Sequence, residues 1–240
     1  MRRFLPLLLL LAACPTANDD DTANDDDAAN DDDAANDDDA SGELLFALPV
    51  AEPWLIESVV GYDHDPEVHS EGIGAARCTN YAGESFPACY DEHRGSDFIL
   101  EGAFETMDDG SATVLAAAAG VVLSLEQDQY DRCHATFDGV SCDGHPIVPN
   151  QVTLEHPDGT VTRYLHLMRD SVLVDVGDAV ACGTPLGLIG SSGNSSTPHL
   201  HFEVRVAGEA VDPYAGPESQ PESLWREQEG AFDLPGEECE

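Results

Sequence analysis

Lysine is absent from this chain of 240 residues, and all nine basic side chains are arginine, set against 48 Asp and Glu, for a formal net charge of −39. Without a basic surface there is nothing to displace counterions from a phosphate backbone, so nucleic acid is excluded as a partner. Long hydrophobic runs are also missing. The only sizeable one, near the N-terminus, is too short to span a bilayer. No C-x-x-C pair occurs, which argues against a structural zinc ribbon or finger. A sustained helical period is lacking too; the alanine run at 116–119 is too short to count.

The chain begins Met1-Arg-Arg-Phe-Leu-Pro and continues through leucines to Leu11-Ala-Ala-Cys14. A basic start, a short apolar stretch and small residues read as a secretory signal. The ending resembles the lipobox of bacterial lipoproteins, which implies a lipid on Cys14 and a protein anchored to a bacterial membrane, on its periplasmic or surface side, without spanning it. Residues 15–42 follow, with a six-residue repeat built on Asn-Asp-Asp-Asp occurring four times. This segment holds no apolar residue larger than Ala, so it cannot offset the entropy of ordering, and its like charges extend it into a disordered tether. It lacks the glycines and hydrophobic anchors of calcium loops.

Setting aside the twelve Asp of those repeats and the two leader arginines leaves 36 acidic residues against seven Arg, a balance of −29. A lysine-free acidic surface of this kind points to a saline habitat. It should also be repelled by anionic wall polymers.

Apart from Cys14 there are six cysteines, an even number outside the reducing cytosol, which favours disulfides. Proximity pairs Cys78 with Cys89 and Cys133 with Cys142, leaving Cys182 for Cys239.

Residues 43–214 have room for one domain, followed by an irregular tail at 215–240 rich in Pro, Gly and Glu. Strand-like runs dominate at 112–115, 120–125, 151–156, 161–167, 172–176, 185–189 and 200–206. Pro157-Asp158-Gly159 marks a hairpin between two of them. The fold class is therefore mostly β, a single antiparallel sheet-rich domain with disulfide-bearing loop insertions.

Three blocks carry chemistry. His93-Arg-Gly-Ser-Asp97 places an imidazole and a carboxylate four apart, with Gly95 allowing a tight turn between them. His199 and His201, two apart, share one face of a strand, with Leu200 turned into the core. His166, between Leu165 and Leu167, faces the same cleft if those leucines are core. Two imidazoles and a carboxylate make a catalytic zinc set with a position left for water. Spacing alone does not decide which of His199 and His201 binds metal.

These blocks, with Gly120-Val-Val, Val176-Gly-Asp-Ala-Val180 and Gly187-Leu-Ile-Gly-Ser-Ser-Gly193, resemble the lysostaphin/LytM-type zinc metallopeptidases, peptidase family M23. The resemblance covers roughly residues 90–214, with a weaker echo from about residue 45. It implies the duplicated hybrid motif fold and one Zn2+ held by His93, Asp97 and His201. His199 is then the base toward the attacking water, and His166 orients that water or stabilises the tetrahedral intermediate. The implied reaction is hydrolysis of a peptide bond in peptidoglycan cross-links or stem peptides by a monomer. The alternative is a silent domain of the same family acting as a scaffold or activator of another wall hydrolase; the three blocks lack none of the site residues. Whether a polyglycine bridge or a D-Ala–diaminopimelate link is cut stays open.

The chain departs from the family pattern in a longer segment at 100–110, an insertion at about 127–149 carrying Cys133 and Cys142, and Thr197 where glycine is common. His64, His69, His134, His145 and His156 read as surface or loop residues, Tyr164 as packing, and Glu203 as a neighbour of His201 on the same face.

Overall fold

The hairpin at Pro157-Asp158-Gly159 forms where the turn chemistry demands it. Gly159 has a φ of 83°, its N–H donates to His156 O, and Asp158 Oδ1 accepts from Thr160 N–H at 2.9 Å. The flanking strands, β7 (Gln151–Glu155) and β8 (Val161–Leu165), pair antiparallel. The computed structural model describes residues 44–69, 77–228, 230 and 234–239. The leader, Cys14 and the Asp-rich repeats lie outside them.

The other strands are β1 (Ile56–Val60), β2 (Ser96–Leu100), β3 (Thr113–Leu115), β4 (Gly120–Glu126), β5 (His134–Thr136), β6 (Gly139–Ser141), β9 (Ala179–Val180), β10 (Pro185–Leu188), β11 (His199–Val206) and β12 (Glu209–Val211). The main sheet runs β1-β2-β11-β8-β7-β4-β9, with β12 also on β11, while β3 pairs β10 and β5 pairs β6. Every pairing between these strands is antiparallel. The mostly β reading holds.

Period-two alternation divides β11 cleanly. Leu200, Phe202 and Val204 are fully buried on one face, where Phe202 lies opposite Tyr164 and Leu200 opposite Phe98. Each such side chain contributes roughly 1.5–3 kcal/mol of burial. Residues 215–228 form no regular strand or helix, yet Trp225 inserts into this layer, its ring meeting Phe46, Phe98 and Phe202 at 5.3–6.5 Å between centroids. Tyr164 belongs to the same layer, its hydroxyl accepting from Ala117 N–H at 2.9 Å.

Two expectations need correction. Residues 172–176 form no ladder; Leu173 N–H donates to Leu186 O, and Val172 and Val174 pack on the core while Leu173 and Val176 stay exposed. One-sided packing produces the alternation of a strand without its pairing. Conversely β1, β2, β5, β6, β9 and β12 were not anticipated. In β2 the apolar pattern is broken by Asp97, a buried charge that a hydrophobic count scores as loop.

All three disulfides pair as expected: Cys78–Cys89, Cys133–Cys142 and Cys182–Cys239. The longer segment at 100–110 folds into α1 (Phe104–Asp109), stopped by Gly110 in the left-handed region at φ 62°. The insertion at 127–149 carries the β5–β6 hairpin, closed by Cys133–Cys142. Arg132 joins the two departures, pairing with Asp108 and lying over the Phe104 ring.

Candidate metal centre

β2 and β11 are neighbours, and their register sets Asp97 directly opposite His201. His93, just before β2, completes the convergence. Asp97 Oδ1 lies 2.8 Å from His201 Nδ1 and 3.1 Å from His93 Nε2, and the two nitrogens are 3.2 Å apart. Among the described residues, His93, Asp97 and His201 form a group able to hold a metal ion, with ligand atoms within 4.8 Å of one another.

The donor set fits zinc. Ligands about 2.0–2.1 Å from a tetrahedral zinc sit roughly 3.3 Å from each other, close to the spacing seen. His93 Nδ1 lies 2.6 Å from Gly61 O, an acceptor only, so Nδ1 carries the proton and Nε2 presents its lone pair to the site. His201 is reversed. Its Nδ1 faces the site and its Nε2 faces Glu203 Oε2 at 3.6 Å, so Glu203 does stand behind His201, held in turn by Arg163 and Arg205.

Burial opposes charge on all of these groups, and specific partners overrule it. Asp97 is raised by desolvation, but the neighbouring imidazoles of His93, His199 and His201 hold it well below the usual carboxylate range. Desolvation likewise lowers His201, yet Asp97 and Glu203 lift it to about 9. Glu203, desolvated but bonded to His201 and Arg205, falls to about 2.

His199 and His166 flank the cluster. His199 Nδ1 sits 2.7 Å from Thr197 O, so its Nε2 lone pair points inward, 3.5 Å from Asp97 Oδ1. The Thr197 departure is therefore harmless here, because any residue supplies a backbone carbonyl. His166 Nδ1 lies 2.6 Å from Ser192 O, and its ring centroid is 4.6 Å from that of His199. Burial pushes His199 down and His166 well down, which favours the neutral form of both imidazoles.

The structure reaches His166 by a different route from strand alternation. Leu165 is the cross-strand partner of His201 and so shares its face. His166 has a φ of 66°, and this left-handed residue at the end of β8 turns the imidazole back to the cleft. Gly95 also acts differently from the turn expected of it. A Cβ there would sit 2.6 Å from Phe202 O and 2.7 Å from the His201 ring. Its absence of side chain makes room for that ring.

Tyr90 was missed. Its hydroxyl donates to Asp97 Oδ2 at 3.1 Å and its ring stacks on His93, centroids 4.2 Å apart. Its position three residues before His93 was the available signal. The remaining histidines stay outside the cluster. His64 bonds Asp212 at 2.9 Å and His145 stacks on Tyr130. His156, expected in a loop, is buried instead, bridging Ala119 O and Thr162 Oγ1. Beside the metal centre lies a groove of about 670 Å³, with Asp97 and His199 among its lining residues.

Several known proteins are similar to this chain. The peptidoglycan DD-endopeptidase ShyB of Vibrio cholerae is 44% identical over 68 residues, covering 28% of this chain and 16% of that protein. ShyC of the same organism is 31% identical over 132 residues, 55% of this chain and 24% of its own. The murein hydrolase activator EnvC of Escherichia coli is 44% identical over 62 residues, 26% of this chain and 14% of its own. The matches thus span less than a quarter of those relatives' length. Among solved structures, the catalytic domain of lysostaphin from Staphylococcus simulans aligns with a TM-score of 0.36 and 26% identity, covering 59% of this chain and 86% of that one. The model of peptidase family M23 matches residues 92–213, just over half the chain and the stretch that holds all five site residues, and this chain belongs to that family.

Proposed function

We propose that the domain is a zinc-dependent endopeptidase that hydrolyses peptide bonds in peptidoglycan cross-links or stem peptides. It works as a monomer at the cell envelope, tethered through a lipid on Cys14. Among the described residues no helix is long and apolar enough to cross a membrane. The observation that carries the reading is the pairing of a three-donor cluster with two neutral imidazoles that aim unprotonated Nε2 atoms beside it.

His93 Nε2, Asp97 Oδ1 and His201 Nδ1 would hold the zinc. When bound, it supplies Lewis-acid polarisation of the scissile carbonyl and makes water nucleophilic near neutral pH. His199 Nε2 accepts the water's proton, while Thr197 O retains the proton on Nδ1. The imidazolium so formed lies 3.5 Å from Asp97. His166, whose proton is committed to Ser192 O, presents an acceptor and therefore orients the water. The C–O bond forms first, giving a tetrahedral intermediate at the substrate carbon, and its collapse breaks the C–N bond as the proton held on His199 passes to the leaving amine.

A second reading, a silent activator, draws on the likeness to EnvC. Both readings separate on purified peptidoglycan. New amino termini should appear, stop with chelator, and fall roughly 10²–10⁴-fold in His199→Ala while zinc content stays at one per chain. No turnover by wild type carrying stoichiometric zinc would instead favour the activator.

A further inference from the structure

The groove beside the metal centre is walled partly by residues before the family-matched stretch at 92–213 and partly by the insertion within it. Val60, Phe86 and Pro87 precede residue 92, and Val140 comes from the β5–β6 hairpin of the insertion. Ile99 adds to this apolar surface, and Asn194 and Ser196 supply uncharged polar groups. Phe86 is 60% exposed, a large ring presented to solvent at the groove rather than packed in the core. Both apolar segments are braced: Cys89, next to the Phe86 loop, is bonded to Cys78, and the hairpin is closed by Cys133–Cys142. The hairpin is also tied to the site's edge, with Ala135 N–H donating to Ser196 O and Cys133 N–H to Ser191 O.

Charge is the second observation. Asp97 and His199 belong to the metal centre, and the described residues that line the groove include no arginine. The chain has no lysine at all. A carboxylate entering along these walls would lose water without gaining a cationic partner, in the field of a strongly acidic molecule.

We propose that the groove selects cross-link peptides whose side chains flanking the scissile bond are uncharged and mainly apolar, with Phe86 and Val140 as specificity-determining residues. This rests on the endopeptidase reading for its reaction, and on the groove alone for its preference.

The test uses two muropeptide dimers joined by a D-Ala–diaminopimelate bond. They are identical except that the diaminopimelate carboxyl beside the bond is free in one and amidated in the other. The zinc-loaded full chain should cut the amidated dimer with a kcat/KM at least about tenfold higher. Phe86→Ser should narrow that ratio through KM with kcat retained, and Val140→Arg should shift it toward the free carboxylate; thermal melting checks that both variants fold. Equal or better cleavage of the free-carboxylate dimer by wild type overturns the proposal, as does an unchanged ratio in both variants. Should zinc-loaded protein cut neither dimer, the hydrolase reading fails on its own, and anisotropy of the same two dimers, fluorescently labelled, decides the preference. Tighter binding of the amidated dimer then sustains it, while equal or absent binding overturns it.

Discussion

Tyr90 shows how much one side chain outside a motif can govern a proposed metal ligand. Asp97 offers two oxygens, and the Tyr90 hydroxyl occupies Oδ2, leaving Oδ1 to face His93 and His201. Tyr90 also covers one face of the His93 ring. Removing the hydroxyl while keeping the ring frees the carboxylate to rotate. Tyr90→Phe should therefore weaken zinc binding by about 10–100-fold, the usual effect of losing a group that orients a ligand. Chelator competition monitored by a zinc-sensitive dye reads this directly; an affinity unchanged within about twofold would rule out the role. Gly95 and His166 carry the same lesson in the backbone. One gives space to the His201 ring, and the other adopts a left-handed φ that no polar or apolar count reveals.

At the scale of elements, β11 unites core and chemistry on one strand. Its alternation sends Leu200, Phe202 and Val204 inward and leaves His199, His201 and Glu203 on the other face, with β2 and β8 as hydrogen-bonded neighbours. The disulfides brace what the strands do not. Cys182–Cys239 spans 57 residues, against 11 for Cys78–Cys89 and 9 for Cys133–Cys142. In the chain-entropy model, the long closure restricts the unfolded chain by about 4 kcal/mol and the short ones by about 3 kcal/mol each. Replacing each pair by serines should consequently lower Tm most for Cys182/Cys239. Losing Cys133–Cys142 should act more on KM than on Tm, because its hairpin borders the groove. Calorimetry on the three double variants checks the order, and a larger loss from either short pair would refute it.

Over the whole molecule, charge is the dominant property. A net of −39 without a single lysine makes self-repulsion a standing cost of the compact state. Salt shortens the screening length from about 10 Å at 0.1 M to about 3 Å at 1 M, so Tm should rise across that range. A fall in both Tm and activity with added NaCl would contradict the saline-habitat reading. The same acidity sets limits on what the groove accepts, since no arginine is among the described residues that line it: Arg163 and Arg205 hold Glu203, Arg132 holds Asp108, and Arg94 donates to Tyr62 Oη and Asp63 O.

The sequence by itself determined the β class, the hairpin at Gly159, the disulfide pairs and the five side chains that meet at the site. Most rest on a local rule: alternation, turn chemistry, cysteine proximity or residues spaced two or four apart, while Cys182–Cys239 follows by elimination and the role of His166 from the family resemblance. Only the tertiary structure decided the rest. The register of β2 against β11 sets Asp97 opposite His201, and the carbonyls of Gly61, Thr197 and Ser192 orient the protons of His93, His199 and His166. Tyr90, Phe86 and Val140 reach the groove from segments with no motif of their own. These are contacts between distant parts of the chain, and backbone carbonyls look the same in every residue, so no local pattern could have announced them.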